Sequence, residues 1–173
     1  MRNRFACHPF KKLSRVDEHL HDFIQGRVQL GLEQAAVKEV VGLHVFFQEW
    51  FNGELPDTDE AFARFNDSFA EDFQMVVPSG NTVLFSGLKQ SLRAAHGRDK
   101  TRGGIRIWIE NAAARKISPG AYMVQYQEWQ QLVGAEKKGR ISTAIFREKP
   151  SEGRDAGLEW VGVHETWLPG PET

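Results

Sequence analysis

The sequence predicts an α+β domain in which three main helices pack on a strongly curved antiparallel sheet. Three observations carry that expectation. Between Gln34 and Asn52 the apolar side chains follow a helical period over an unusually wide arc. After Gly104 the period falls to two and persists to Leu168. The stretches SPG, GAEKKG and PSEGRDAG divide that second half into four extended runs. Composition agrees: 173 residues suit one domain, and 40% apolar with 26% charged side chains allows a sizeable core. Twenty-two basic against 23 acidic residues argue against a dedicated nucleic-acid binder, which would carry a basic excess. No run approaches the roughly 18 apolar residues of a membrane span. A single cysteine, Cys7, excludes an internal disulfide and points to a reducing compartment, so a cytoplasmic protein is expected.

Three segments are expected: residues 1–32 as an arm with a short extra helix, 33–168 as the domain, and 169–173 as a tail. Arg2, Arg4, Lys11, Lys12 and Arg15 precede the first acid, Asp17, but FACHPF is too short and broken for a secretory signal. Ser14 can cap a short helix with Val16, Leu20, Phe23 and Ile24 on one face and Gly26 as its stop. The cluster DEHLHD suggests a metal site at first sight. On a helix, however, His19 and His21 stand about 200° apart and cannot chelate one ion, so this is a solvated face.

The main helix, 34–52, places Val37, Val40, Val41, Leu43, His44, Val45, Phe46, Phe47, Trp50 and Phe51 around more than half its circumference. Such an arc predicts cover on more than one side. Gly53 and Pro56 end it. A second helix, 58–70, starts from the capping pattern Asp57-x-x-Glu60 and carries Phe62, Phe65 and Phe69 as one ridge. The strand FQMVVP and the turn PSGN follow. A third helix, 87–96, takes Ser86 as cap, Leu88, Leu92 and Ala95 as buried face, and Gly97 as stop. The sheet is expected to span residues 72–168. Its runs IRIWIENAAARKI, AYMVQYQEWQQLV, GRISTAIFREK and LEWVGVHETWL are long enough that they must coil or bend.

This order of elements, ending in the hairpin RISTAIFREK…LEWVGVHETWL, resembles the nuclear transport factor 2-like superfamily. The resemblance covers residues 33–168 and implies a cone-shaped fold. It is closest to the polyketide-cyclase-like and ketosteroid-isomerase-like branch, related to the association domain of calcium/calmodulin-dependent kinases. The residues that carry it are Ser142, Thr143, Trp160, His164 and Thr166, with W-x-x-x-H at the centre. Ala144 and Thr166 depart from the kinase-association pattern, which favours arginine and histidine there.

Strand parity sorts the candidates for chemistry, because alternate side chains share a face. Ile105, Ile107 and Ile109, then Tyr122, Val124, Tyr126 and Glu128, then Trp160, Gly162, His164 and Thr166 are assigned to the concave, helix-covered side. That grouping makes Glu128 and His164 the expected catalytic pair, with Tyr126, His44, Thr166 and Trp50 as ligand-binding neighbours. A carboxylate desolvated among rings has its pKa raised and becomes a competent base, and a histidine can polarise a carbonyl. The expected function is therefore a small-molecule binder, isomerase-, dehydratase- or cyclase-like, working by acid–base chemistry. No metal or nucleotide cofactor is expected, since no H-E-x-x-H, P-loop or dinucleotide fingerprint occurs. The alternative is a non-catalytic dimeric binding or assembly module. Trp108, Trp129, Trp167 and Phe146 share the other sheet face by the same parity, and pairing two sheets back to back would bury them in a homodimer.

Overall fold

The computed structural model describes residues 15–149 and 157–169, with side chains from residue 31 onward. The basic arm, Cys7, the Ser14 cap, the side chains of DEHLHD and most of the PSEGRDAG loop lie outside the described residues. The first helix, α1, runs unbroken over Arg15–Asn52, so the separate short helix expected before Gly26 is instead its beginning. An interior glycine costs a helix only about 1 kcal/mol and does not end it unless the chain turns away. Met1–Leu32 and Glu33–Thr173 form two compact units, and the second is described from here on.

Within that unit Ala36, Val40, Leu43, Phe46 and Trp50 recur at helical spacing and are buried. Val41 and Val45 stay 43% and 46% exposed, so part of the wide apolar arc faces solvent. Gly53 then takes φ +64° and turns the chain out of the helix. A Cβ there would lie 3.2 Å from Gly97 Cα, so glycine is required for the close approach of that loop. The loop caps α1: Gly97 N–H donates to Trp50 O and Asp99 N–H to Phe51 O, each at 2.9 Å.

Helix α2, Asp59–Asn66, is capped by Thr58, whose hydroxyl accepts from Ala61 N–H. The cap thus falls one residue after Asp57, the position the sequence pattern suggested. The helix also ends four residues early, because Asp67 and Ser68 turn the backbone back onto Ala63 and Phe65. Phe69 therefore opens a strand, β1 (Phe69–Val76), instead of closing a helical ridge. After the Pro78–Gly80 turn comes a strand the periodicity did not announce, β2 (Thr82–Leu84). Helix α3, Phe85–Ala94, follows with no connecting residue. Ser86 is consequently inside α3, and Leu84 occupies the cap position without a side-chain hydrogen bond.

Strands β3 (Ile105–Ser118), β4 (Ala121–Leu132), β5 (Lys138–Glu148) and β6 (Leu158–Trp167) form the expected meander. The sheet order is β2-β1-β6-β5-β4-β3. One pair departs from the expected antiparallel sheet: β1 runs parallel to β6. No hairpin joins these two strands, so no turn imposes opposite directions on them. The chain otherwise builds the cone-shaped α+β fold that its resemblance implied. An aromatic seam binds helices to sheet, with Trp50 against Phe62 at 5.0 Å, Phe65 against Phe69 at 4.6 Å and Phe146 against Trp160 at 4.5 Å between ring centroids.

Two bulges decide which side chains face the helices. In β3, Asn111 adopts φ +54° where the register slips between Glu110 and Ala113. In β6, Ile145 pairs with Gly162 but Phe146 pairs with Trp160, leaving Val161 as an extra residue. Parity therefore inverts beyond Trp160, and Val163, Glu165 and Trp167 take the concave side. The outer-face set changes accordingly. Trp108 and Trp129 stack at 6.3 Å on the outside, Phe146 is buried in the core, and Trp167 stands on the inner rim opposite Arg140.

Asn52 offers a direct test of how α1 is tied to the sheet. Its side-chain amide donates to Ile105 O at 3.1 Å, and its carbonyl accepts from Ile105 N–H at 2.8 Å. Replacing Asn52 with Ala strands both backbone groups and should cost about 1–3 kcal/mol in urea unfolding, with the slope unchanged. A loss below about 0.5 kcal/mol would show that the strap is dispensable.

Candidate functional site

Burying a charged side chain demands partners, and the concave face supplies them in one cluster. Glu128 of β4 is 1% exposed. Its Oε1 accepts from Gln130 Nε2 at 2.6 Å and Arg140 Nη2 at 2.7 Å, and its Oε2 accepts from Arg140 Nε at 2.9 Å and His44 Nε2 at 3.1 Å. Burial alone would push this carboxyl up, but the His44 and Arg140 charges and these donors outweigh it and bring its pKa down to about 2. The other nitrogen of His44, Nδ1, donates to Val40 O at 2.7 Å. Both His44 partners are oxygen acceptors.

Glu165 of β6 behaves oppositely. Its pKa is raised, chiefly by burial, and the Glu128 charge adds to that while Arg140 counters it. Glu165 Oε2 lies 2.9 Å from Arg140 Nη1 yet has no aligned hydrogen bond, so the pair is Coulombic contact without good geometry. Ser142 Oγ donates weakly to Oε1 at 3.5 Å. Tyr126, its pKa driven far up by burial and then by both carboxylates, stays a neutral phenol edge-on to His44 at 5.4 Å.

This cluster forms the polar end of a cavity of about 390 Å³, whose other walls include Leu43, Phe47, Phe73 and Val163. Of the residues expected there, the fold brings together Glu128, Tyr126 and His44. It separates His164 and Thr166, which are exposed on the other side of β6 because of the Val161 bulge. Trp50 also fails to reach the cavity; it is wholly buried and donates its indole N–H to Leu92 O at 2.8 Å. Sequence reasoning missed Arg140 and Glu165. Arg140 stands opposite Glu128 because the β4–β5 hairpin is centred on Gly134, earlier than the midpoint of GAEKKG, so counting from that stretch would not have paired them. For Glu165 no sequence signal existed, since only the bulge turns it inward.

The geometry also corrects the expected chemistry. Glu128 is not a base with a raised pKa: all four of its hydrogen bonds are to protein donors, and it is held ionised.

A second cleft of about 590 Å³ meets the first at Arg98, Glu128, Gln130 and Arg140. Its outer walls are Asp99 and Arg102 from the loop before β3, Gln131 and Leu132 of β4, Glu136 and Lys138, and Trp167.

Residues 36–169 match the family profile described as sucrose-6-phosphate phosphohydrolase C-terminal. The chain is 30% identical over 132 residues to sucrose-phosphatase 1 of Nicotiana tabacum, covering 76% of this chain and 30% of that protein. It is likewise 30% identical over 129 residues to probable sucrose-phosphatase 2 of Arabidopsis thaliana. The chain thus spans about 30% of the length of these curated relatives. Among solved structures, an NTF-2-like protein of unknown function from Pseudomonas aeruginosa superposes with a TM-score of 0.66 at 27% identity, covering 78% of this chain and 99% of that one. An NTF2-like protein with a cystatin-like fold from Novosphingobium aromaticivorans gives 0.58 at 15% identity, covering 85% of this chain and 89% of that one, a likeness of fold alone. These matches overturn the expected function. The chain aligns with the C-terminal region of sucrose-phosphatases and not with the isomerase-, dehydratase- or cyclase-like proteins expected.

The cluster predicts an acid limb in stability. A carboxyl lowered from 4.5 to about 2 stabilises the fold fully above pH 4.5, and that contribution is lost as pH falls toward 2. Glu165, raised on folding, acts in the opposite sense and is relieved by acid. Replacing Glu128 with Gln should cost about 3–5 kcal/mol at neutral pH, the range for removing one partner of a buried pair. The same variant should flatten the stability profile between pH 4.5 and about 2. Urea titrations of both proteins across that range would check this, and parallel acid limbs would refute the assignment.

Proposed function

Because the chain belongs to the sucrose-6-phosphate phosphohydrolase C-terminal family, we propose that it supports the hydrolysis of sucrose 6-phosphate as an accessory domain, without itself being the hydrolase. The match over residues 36–169 carries this reading, since it aligns the chain with only about 30% of the length of tobacco sucrose-phosphatase 1. The site supports it too. Glu128, the most completely buried carboxylate of the cavity, has its lone pairs committed to Arg140, His44 and Gln130 and is not free to attack phosphorus or activate water.

The test uses the tobacco enzyme as reference. Sucrose-phosphatase 1 shortened by its matched 132-residue region is assayed for phosphate release with and without this chain added. The chain alone should release no phosphate from sucrose 6-phosphate, and its addition should raise the kcat/KM or the thermal stability of the shortened enzyme. Hydrolysis by the chain alone, or complete indifference of the shortened enzyme, would overturn the proposal.

A further inference from the structure

The second cleft is built around an arginine pair with a hidden counter-charge. Asp99 is 1% exposed. Its Oδ2 accepts from Arg98 Nε and its Oδ1 from Arg102 Nη1, each at 3.1 Å. Arg98 is further fixed by its guanidinium carbon, 3.7 Å from the centroid of the Phe51 ring. The carboxylate therefore orients both arginines from behind. Their side chains remain 47% and 59% exposed, with further N–H groups directed away from Asp99.

The lining also holds Lys138 at the start of β5, exposed and, among the described residues, without a carboxylate in ion-pair range. Glu136 is the one exposed carboxylate on the lining. The same lining includes the Trp167 indole, 55% exposed, and the side chain of Gln131, whose amide donates to Ala135 O at 3.1 Å. A large ring left in solvent at a cleft is suited to cover the C–H face of a sugar, while amide and guanidinium groups take its hydroxyls. The cations supply what a phosphate needs: planar, pre-oriented N–H donors and a point charge. The first cavity is less suited to an anion, because Arg140 is already committed to Glu128 and Glu165.

We propose that the cleft between the Arg98–Arg102 loop and Lys138–Trp167 binds a phosphorylated sugar, with the phosphate on the arginines and lysine and a sugar ring on Trp167. The choice of sucrose 6-phosphate as the probe rests on the accessory-domain reading above; the cleft itself does not. The whole chain is titrated near neutral pH with sucrose 6-phosphate, sucrose and inorganic phosphate, following tryptophan fluorescence and calorimetry. Sucrose 6-phosphate should saturate the site and bind at least about tenfold more tightly than either fragment, since each lacks one half of the contacts. Lys138→Gln and Trp167→Ala should each weaken it about tenfold. Both positions are exposed, so unchanged thermal melting verifies the fold of each variant.

Absence of saturation overturns the proposal. So does equal affinity for sucrose, which removes the phosphate from the recognition, or equal affinity for inorganic phosphate, which reduces the site to an anion patch. Full binding by either variant overturns it as well. The two proposals fail separately: a shortened phosphatase indifferent to this chain leaves a saturable cleft standing, and an enhanced phosphatase with an empty cleft leaves the accessory role standing.

Discussion

The ion pair between Arg140 and Glu128 governs the concave face. Two charges removed from water carry a penalty of several kcal/mol each, which only close geometry and complete hydrogen bonding offset. Here the guanidinium engages Glu128 in a two-pronged contact and reaches Glu165 with its third nitrogen. His44 closes the network from the helix. The four groups come from β5, β4, β6 and α1 respectively, so one cluster joins three neighbouring strands to the main helix. A slip of one residue in either hairpin would turn Glu128 or Glu165 away and leave Arg140 buried with too few partners. The cluster thus acts as a register lock as much as a lining, and the apolar seam on its other side supplies the bulk of the driving force.

The same economy links the end of α1 to the second cleft. The backbone at 97–99 caps the helix, Asn52 fastens it to Ile105, and Asp99 aims two arginines outward from that junction. Three demands are met at one junction: unsatisfied carbonyls at a helix end, an entering strand, and a buried carboxylate.

Much of the fold was legible because it rests on periodicity. The run from Gln34 to Asn52 and the alternation after Gly104 both report burial directly, and the elements they predict are present. Boundaries were less legible, since Thr58 and Asp57 are both good caps and only the packing of Phe62 and Phe65 chooses between them. The three-residue β2 was too short to show a period, and the parallel β1–β6 pair depends on contacts remote in sequence. At the site, Tyr126, Glu128 and His44 were found because parity and helical phase hold without interruption up to them. His164 and Thr166 were misplaced because one inserted residue reverses parity, and nothing in LEWVGVHETWL marks Val161 as that residue. The electrostatics were illegible for a different reason. Burial alone raises a carboxyl, and only the positions of Arg140 and His44 reverse the sign for Glu128 and not for Glu165.

That extra residue in β6 has an evolutionary consequence. The strand carries two interleaved sets of side chains, Val163-Glu165-Trp167 and Gly162-His164-Thr166, and the bulge selects which one lines the interior. Taking Val161 into the ladder as a paired residue would exchange the sets, exporting a carboxylate and importing an imidazole, whereas deleting Val161 would flatten the bulge and keep Glu165 inward. A cone of this kind can therefore change its interior chemistry by a shift of register at one residue, with no substitution at any lining position. Relatives aligned without regard to that residue would pair Glu165 with positions that face the opposite way.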